Sequence, residues 1–205
     1  MAWIEALIAE VTTIYSIDNK RIYATGISNG GIFLQCLAIG LSHRFAAVAS
    51  LTAQIAEPLA KSQPTHPISV LLMNGTKDPV VPYGGGEVTP RLFPRFTKMM
   101  KRPSRGKVIS TDATIEFWLR HNGIEGKGSV TNLPDLDTTD ESTVEHTEWS
   151  NQNTGVSVML YRIIGGGHTW PGARQYLPVR TIGQTNHDIN ASEIIWEFFL
   201  QHPKY

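Results

Sequence analysis

One segment near the amino terminus restricts the fold more than any other part of the sequence. Residues 21–25 form a short β-type run, and residues 31–41 carry a helical pattern of apolar side chains. The residues between them, 26–30, read Gly-Ile-Ser-Asn-Gly, a G-x-S-x-G match. We expect a Cβ at Gly26 or Gly30 to clash where the strand and helix approach each other. The segment therefore predicts a sharp strand-to-helix turn that exposes the hydroxyl of Ser28.

The rest of the chain continues this alternation of strand and helix. Alternating elements of this kind indicate an α/β domain with a largely parallel sheet, and the length of 205 residues suits a single domain over residues 1–205. An apolar stripe from Trp3 to Ile14 also predicts an amphipathic helix at the start. The further predicted strands are residues 45–51, 68–73 and 156–163, and the further predicted helices are residues 112–120 and 191–200.

Two regions lack this periodicity. Residues 82–105 carry several prolines and three consecutive glycines, so we expect a long surface excursion. Residues 122–153 are polar and contain a group of acidic side chains, which predicts a solvated loop and sheet edge. A calcium site is the alternative for the acidic group, although its spacing matches no EF-hand loop.

Charge and composition weigh against several classes of function. The 18 Lys and Arg residues balance the 18 Asp and Glu residues, and no basic run is longer than Lys101-Arg102. Neither nucleic acid nor an anionic membrane is an expected partner. We see no apolar segment long enough to span a membrane and no targeting segment. The lone Cys36 lies in a helical pattern, where packing is its expected role, and it leaves the redox compartment undetermined.

A nucleophilic role for Ser28 requires a base and an acid elsewhere in the chain. Asp78 follows the predicted strand 68–73, and His168 follows the strand 156–163 within a run of glycines. Each residue alone has a structural alternative, a turn-forming Asp before proline or a packed histidine. The chain order Ser28, Asp78, His168 is the nucleophile, acid and base order of α/β-hydrolases. The sequence therefore predicts a catalytic triad, with an ordinary glycine-lined turn as the alternative.

Other candidate residues carry weaker signals. His187-Asp188 is a rival acid–base pair, but Asp188 and Asn190 also suit the cap of the last helix. Trp170 could form an apolar wall of a substrate site or simply pack in the core. No cysteine–histidine or histidine–histidine spacing suggests a metal site.

Four motifs together resemble a known enzyme family. They are residues 21–31, 74–86, 166–172 and 188–199. In order and context they resemble the polyhydroxybutyrate depolymerase-like serine esterases, which overlap with the feruloyl and acetyl xylan esterases of carbohydrate esterase family one. The resemblance implies an α/β-hydrolase fold and an enzyme that needs no metal or organic cofactor. It also implies Ser28 as the nucleophile, Asp78 as the acid, His168 as the base and the Asn29 amide as an oxyanion donor.

The sequence departs from that family before residue 21. The family has several strands ahead of the nucleophile strand, and a loop after one of them supplies the second oxyanion amide. Here we expect a C-terminal portion of the fold with four central strands and no such N-terminal strands. The nucleophile strand would then be a sheet edge, which tends to pair with another chain. A homo-oligomer or a separate N-terminal segment at this edge is therefore a hypothesis.

These observations predict a serine carboxylic-ester hydrolase that works through an acyl-enzyme. Feruloyl or acetyl esters of polysaccharides and polyhydroxyalkanoate-type esters are the expected substrates, either as small molecules or as polymers. The alternatives are a prolyl oligopeptidase-like serine peptidase and a non-catalytic fragment or binding module without a complete oxyanion hole. The resemblance also implies an extracellular location, although the chain shows no signal peptide.

Overall fold

The central feature of the computed structural model, which describes residues 1–89 and 106–204, is a six-stranded sheet. The strand bounds are β1 Tyr23–Ile27, β2 Ala47–Leu51, β3 Ser69–Gly75, β4 Gly86–Glu87, β5 Lys107–Val108, β6 Ser129–Asn132, β7 Thr143–Asn151 and β8 Val156–Ile164. The strand order in the sheet is β1-β2-β3-β8-β7-β6. The strands β1, β2, β3 and β8 are parallel to one another, while β7 and β6 run antiparallel to their neighbours. A separate antiparallel pair joins β4 to β5.

Four of the five helices in the described part of the chain follow the predicted helical segments closely, whereas the short helix Val179–Ile182 was not predicted. Polar side chains define the start of two of them: Ser110 accepts a hydrogen bond from the amide of Ala113, and Asn190 accepts from the amide of Ser192. The cap prediction is thus confirmed for Asn190. The helix bounds are α1 Ala2–Ile14, α2 Asn29–Gly40, α3 Thr111–His121, α4 Val179–Ile182 and α5 Ala191–Gln201, with a short 3₁₀ turn at Glu57–Leu59.

Apolar clusters cover both faces of the parallel strands. On one face, Val48 and Val70 pack with side chains from α2 and α3, including the fully buried Trp118. On the other face, Leu71 and Met73 pack against α5. Strands buried on both faces read as continuous apolar runs, and this explains why β2 and β3 were predictable. The arrangement is an α/β-hydrolase fold, as the sequence predicts.

The prediction for residues 122–153 is wrong in part. The region contains β6 and the nine-residue strand β7, so the sheet has two strands more than the four that were expected. Their side chains are mostly half-buried or exposed, because an antiparallel strand can leave one face to solvent and carry polar residues there. Glu145, for example, lies opposite Arg162 of β8, with 3.7 Å between the charged atoms.

Strand β1 lies at one end of the sheet order, so the expected edge position of the nucleophile strand is confirmed among the described residues. Helix α1 precedes β1 and packs only part of its apolar stripe against the core. Ile4 and Ile8 pack against the core, whereas Trp3 is 71% exposed and Ile14 is 61% exposed. A partner at this edge stays a prediction.

The predicted excursion at residues 82–105 falls largely outside the described part of the chain, since residues 90–105 are not described. Residues 82–85 form a turn in which the amide of Gly85 donates to the carbonyl of Pro82, and β4 follows at Gly86–Glu87.

Cys36 is half-buried on α2, and burial raises the pKa of its thiol. Among the described helices, none has both the length and the apolar character that a membrane crossing needs.

Candidate active site

Ser28 sits between the last residue of β1 and the first residue of α2. Its backbone has φ 58° and ψ -124°, a left-handed conformation that a non-glycine residue rarely adopts. The amide of Ser28 donates to the carbonyl of Leu51 on β2, at 3.0 Å, and its carbonyl accepts from Ile32 in the first turn of α2. The strained conformation is therefore held from both sides, as expected for a turn that presents a side chain.

Glycine is required at this turn, but not at both predicted positions. A Cβ on Gly26 would lie 2.7 Å from the carbonyl carbon of Gly30, so the strand and helix touch there as expected. A Cβ on Gly30 would meet nothing within 4 Å, so the prediction for Gly30 is wrong. The tight contact falls on the next residue instead, since a Cβ on Gly31 would lie 2.6 Å from the Cβ of Ala53. The side of the helix that faces the strand starts one residue later than expected.

Asp78 lies in the turn that follows β3. Its side chain is almost fully buried, and its Oδ1 accepts hydrogen bonds from the amides of Val80, at 2.7 Å, and Val81, at 2.9 Å. These two amides fix the rotation of the carboxylate, which directs Oδ2 away from them. Backbone bonds from Thr76 to Ile163 and from Lys77 to Gly166 tie this turn to the end of β8.

His168 follows β8 after three glycines and is 5% exposed. A Cβ on Gly167 would lie 2.3 Å from the carbonyl of Ile182, so the glycine run lets two segments of backbone pass close to each other. The amide of His168 also donates to the carbonyl of Ile182. These contacts hold the imidazole in place over the carboxyl ends of the parallel strands.

The structure brings the three predicted residues together in a hydrogen-bonded chain. Nδ1 of His168 lies 2.7 Å from Oδ2 of Asp78, and Nε2 of His168 lies 2.8 Å from Oγ of Ser28. Because Asp78 accepts at Nδ1, that nitrogen carries the proton and Nε2 is free to accept from the serine. An imidazole oriented in this way can take a proton from Ser28 and later return one.

Asn29 is the first residue of α2 and is exposed. Its amide, like the other first amides of a helix, has no carbonyl acceptor inside the helix. It adjoins Ser28 at the positive end of the helix dipole, where it could donate to a developing negative charge. Its role as an oxyanion donor stays a prediction.

Trp170 lies two residues after His168 and is half-buried. Its Nε1 donates to Oγ of Ser192 at 3.2 Å, and its ring packs against the apolar cluster that also receives Ile27, the residue before Ser28. The ring therefore has a packing role in this part of the core. A contact between Trp170 and substrate stays a prediction.

The rival pair His187-Asp188 is not arranged for chemistry. Asp188 accepts hydrogen bonds from the amides of Leu136 and Asp137 and from the side chain of Asn186, so its oxygens are already used. Asp188 does not cap α5, contrary to that part of the cap prediction, because Asn190 does so. Its carboxylate instead anchors the loop that precedes β7.

The described residues contain no cluster of three His, Cys, Asp or Glu side chains that could hold a metal ion. Asp140, in the acidic group, accepts bonds from Ser142 and from the amide of His187. These bonds give that carboxylate a structural role in the loop.

A buried polar network that was not predicted from the sequence joins β3 to the segment after β2. Asn74 of β3 accepts from the amide of Ala53 and donates to Oγ1 of Thr111, each at 3.1 Å. Gln54 donates to the same threonine at 3.0 Å and to the carbonyl of Pro82 at 3.2 Å. The network ties the segment after β2 to the segment that carries Asp78. An asparagine within an otherwise apolar strand was its only sequence signal.

No protein-family model matches the chain, but several curated proteins do. It is 31% identical over 195 residues to "Putative esterase NocK" of Nocardia uniformis subsp. tsuyamanensis, a match that covers 95% of this chain. It is 29% identical over 167 residues to "Feruloyl esterase B" of Piromyces equi, covering 78% of this chain. A shorter match, 30% identical over 81 residues, reaches a bifunctional acetylxylan esterase/xylanase of Neocallimastix patriciarum and covers 40% of this chain.

The matches also differ from this chain in length. The chain spans 55% of the length of the Nocardia protein, 27% of the feruloyl esterase and 12% of the bifunctional enzyme. The relatives confirm the predicted resemblance to feruloyl-type esterases. The link to polyhydroxybutyrate depolymerases stays a prediction.

Proposed function

We propose that this chain, a homologue of curated feruloyl-type esterases, hydrolyses carboxylic esters through a serine nucleophile. One observation carries the proposal. Asp78, His168 and Ser28 form a hydrogen-bonded chain with distances of 2.7 and 2.8 Å, on a strained turn that presents the serine. This is the arrangement that serine hydrolases on unrelated folds have in common.

In the acylation half of the reaction, Oγ of Ser28 attacks the ester carbonyl carbon while Nε2 of His168 takes the hydroxyl proton. The buried carboxylate of Asp78 stabilises the imidazolium that forms and holds its orientation. The tetrahedral intermediate then collapses, the carbon–oxygen bond to the alcohol breaks, and His168 gives its proton to the departing alcohol oxygen. The acyl group is left on Ser28.

In the deacylation half, water takes the place of the alcohol. Nε2 of His168 accepts a proton from the water as its oxygen attacks the acyl carbon. The second tetrahedral intermediate collapses, the acid leaves, and His168 returns the proton to Oγ of Ser28. The net change is one ester and one water converted to one acid and one alcohol.

Both tetrahedral intermediates carry negative charge on the former carbonyl oxygen. The amide of Asn29, at the start of α2, is our proposed donor to that oxygen. Loss of a single donor of this type costs about 100- to 1,000-fold in turnover. We therefore expect a second donor to be needed for full activity.

The substrate class rests on the relatives and not on the triad, which suits any accessible ester. Feruloyl and acetyl esters of polysaccharides are the proposed substrates, because the matched proteins are named as feruloyl and acetylxylan esterases. Polyhydroxyalkanoate-type esters stay a further prediction. Export from the cell, which the resemblance implies, also stays a prediction.

Hydrolysis assays test this function directly. We would measure the release of product from p-nitrophenyl acetate, p-nitrophenyl butyrate and methyl ferulate by the chain and by its Ser28→Ala variant. Activity that depends on Ser28 is the expected result, and a matched amide substrate separates an esterase from a peptidase. Equal background rates from two folded proteins would contradict the proposal and favour the non-catalytic alternative.

We further propose that a second copy of the chain pairs along β1. Two features support a partner there, the edge position of β1 and the exposed apolar side chains of α1. Light scattering in the assay buffer tests the proposal. A dimer is expected, and a stable monomer in that buffer would contradict the pairing.

A further inference from the structure

Tyr176 is an exposed aromatic side chain that is nevertheless fixed to the catalytic base. It is 55% exposed, yet its hydroxyl donates a hydrogen bond of 3.0 Å to the backbone carbonyl of His168. Partial burial, and secondarily the negative charge of Asp78, raise the pKa of the phenol, so it remains a protonated donor at neutral pH. The ring is therefore presented to solvent in one orientation, next to the base.

The loop that carries Tyr176 is held by side-chain bonds on both sides of the ring. The amide nitrogen of Gln175 donates to the carbonyls of Leu177, at 2.7 Å, and Gly183, at 3.0 Å. The amide oxygen of Gln175 accepts from both the backbone and the hydroxyl of Thr185. An immobilised tyrosine provides a large contact surface whose ordering cost is already met before a ligand arrives.

The chemistry of the proposed reaction tells which half of the substrate lies near this ring. The acyl half is bonded to Ser28, whereas the alcohol half must lie beside His168 to receive its proton. Tyr176 is hydrogen-bonded to the backbone of His168 itself. Of the two halves of the substrate, the alcohol half is therefore the one expected near this ring.

We propose that Tyr176 determines specificity for the alcohol half of the substrate, by packing its ring against a sugar ring that bears the ester. This inference rests on the proposed esterase function and deepens it, because it assigns the carbohydrate to the alcohol side and to a particular residue. The substrate class it predicts is an ester of a carbohydrate hydroxyl.

The test compares two acetyl esters that differ only in their alcohol. We would measure kcat and KM for a monoacetylated methyl xylopyranoside and for ethyl acetate, using the wild-type chain, Tyr176→Ala and Tyr176→Phe. Tyr176→Ala should lower the ratio of kcat/KM for the sugar ester to that for ethyl acetate by about 3- to 10-fold, mainly through KM. Tyr176→Phe, which keeps the ring, should leave that ratio close to the wild-type value.

Tyr15→Ala provides a matched control, because Tyr15 is 64% exposed at the end of α1. This variant should keep both activities, and thermal unfolding should show that all the variants fold. An unchanged ratio in Tyr176→Ala would overturn the inference, and so would equal losses on both esters, which would indicate that Tyr176 only positions His168. A failed esterase function has a separate signature, because Ser28→Ala would then hydrolyse ethyl acetate as fast as the wild type.

Discussion

Replacing Asp78 with asparagine changes one atom of the carboxylate and should disable the base. Oδ1 of Asp78 accepts from the amides of Val80 and Val81, so the asparagine oxygen must keep that position. The alternative rotamer would direct an NH₂ group at two N–H donors. The new NH₂ group therefore faces Nδ1 of His168, where the carboxylate oxygen lies at 2.7 Å in the wild type.

An NH₂ group at that position donates where the carboxylate accepted. The imidazole must then accept at Nδ1 and carry its proton on Nε2, the nitrogen that should take the proton of Ser28. In serine proteases with this triad, the wrong tautomer and the loss of the charge that stabilises the imidazolium together lower kcat by about 10⁴-fold. That factor corresponds to about 5 kcal/mol of transition-state stabilisation. The two backbone bonds survive, so the free energy of unfolding should change by only about 1 kcal/mol.

The assay is the initial rate of p-nitrophenyl acetate hydrolysis, with the free energy of unfolding measured by urea titration of the same samples. Asp135→Asn is a matched control, since Asp135 is exposed and its side chain accepts no hydrogen bond from any described residue. We expect the control to keep the wild-type rate. A folded Asp78→Asn variant that kept a rate within tenfold of the wild type would show that the carboxylate does not set the tautomer of His168.

Two further predictions concern stability. Gly26→Ala should lower the free energy of unfolding by about 1–3 kcal/mol, since its Cβ would lie 2.7 Å from Gly30. Gly30→Ala should leave the free energy of unfolding unchanged, because a Cβ at that position has open space. Equal urea midpoints for the two variants would contradict this prediction. Burial lowers the pKa of His202, so the unfolded chain, with an ordinary histidine pKa of about 6.5, binds more protons than the folded chain as the pH falls below that value. The free energy of unfolding should therefore fall as the pH is lowered from about 7.5 to about 5.5. The fall should be less steep in His202→Gln, which lacks the contribution of this side chain. Parallel pH profiles of the two proteins in urea titrations would argue against that assignment.

The predicted site residues that the structure brings together are those marked by local patterns. Ser28 lies where a β-type run meets a helical pattern, and Asp78 and His168 each follow an apolar run that ends at the same edge of a parallel sheet. Strands that are buried on both faces appear in the sequence as continuous apolar runs, which are easy to recognise. Functional residues follow the carboxyl ends of such strands, so the order of the runs along the chain also gives the order of the site residues.

The parts that were missed depend on contacts between distant residues. Strand β7 alternates polar and apolar side chains because one of its faces is partly exposed to solvent. Its Glu and His residues make the segment look like a loop in the sequence. Asn74 reaches Thr111 across 37 positions of sequence, and Asp188 reaches the amide of Leu136 across 52. No local pattern encodes such partners. The tether between Tyr176 and His168 is close in sequence, but its meaning depends on the position of the base, which only the fold supplies.

Detection of the acyl-enzyme would show directly whether Ser28 is a nucleophile activated by His168 and Asp78. We would mix the chain with p-nitrophenyl acetate, quench in acid within the first turnover and measure the intact mass, then locate the modification by peptide mapping. We expect one acetyl group, found on the peptide that contains Ser28 and absent from Ser28→Ala. Ser28-dependent hydrolysis with the acetyl group on another residue, or an equal level of acetylation in Ser28→Ala, would contradict this expectation.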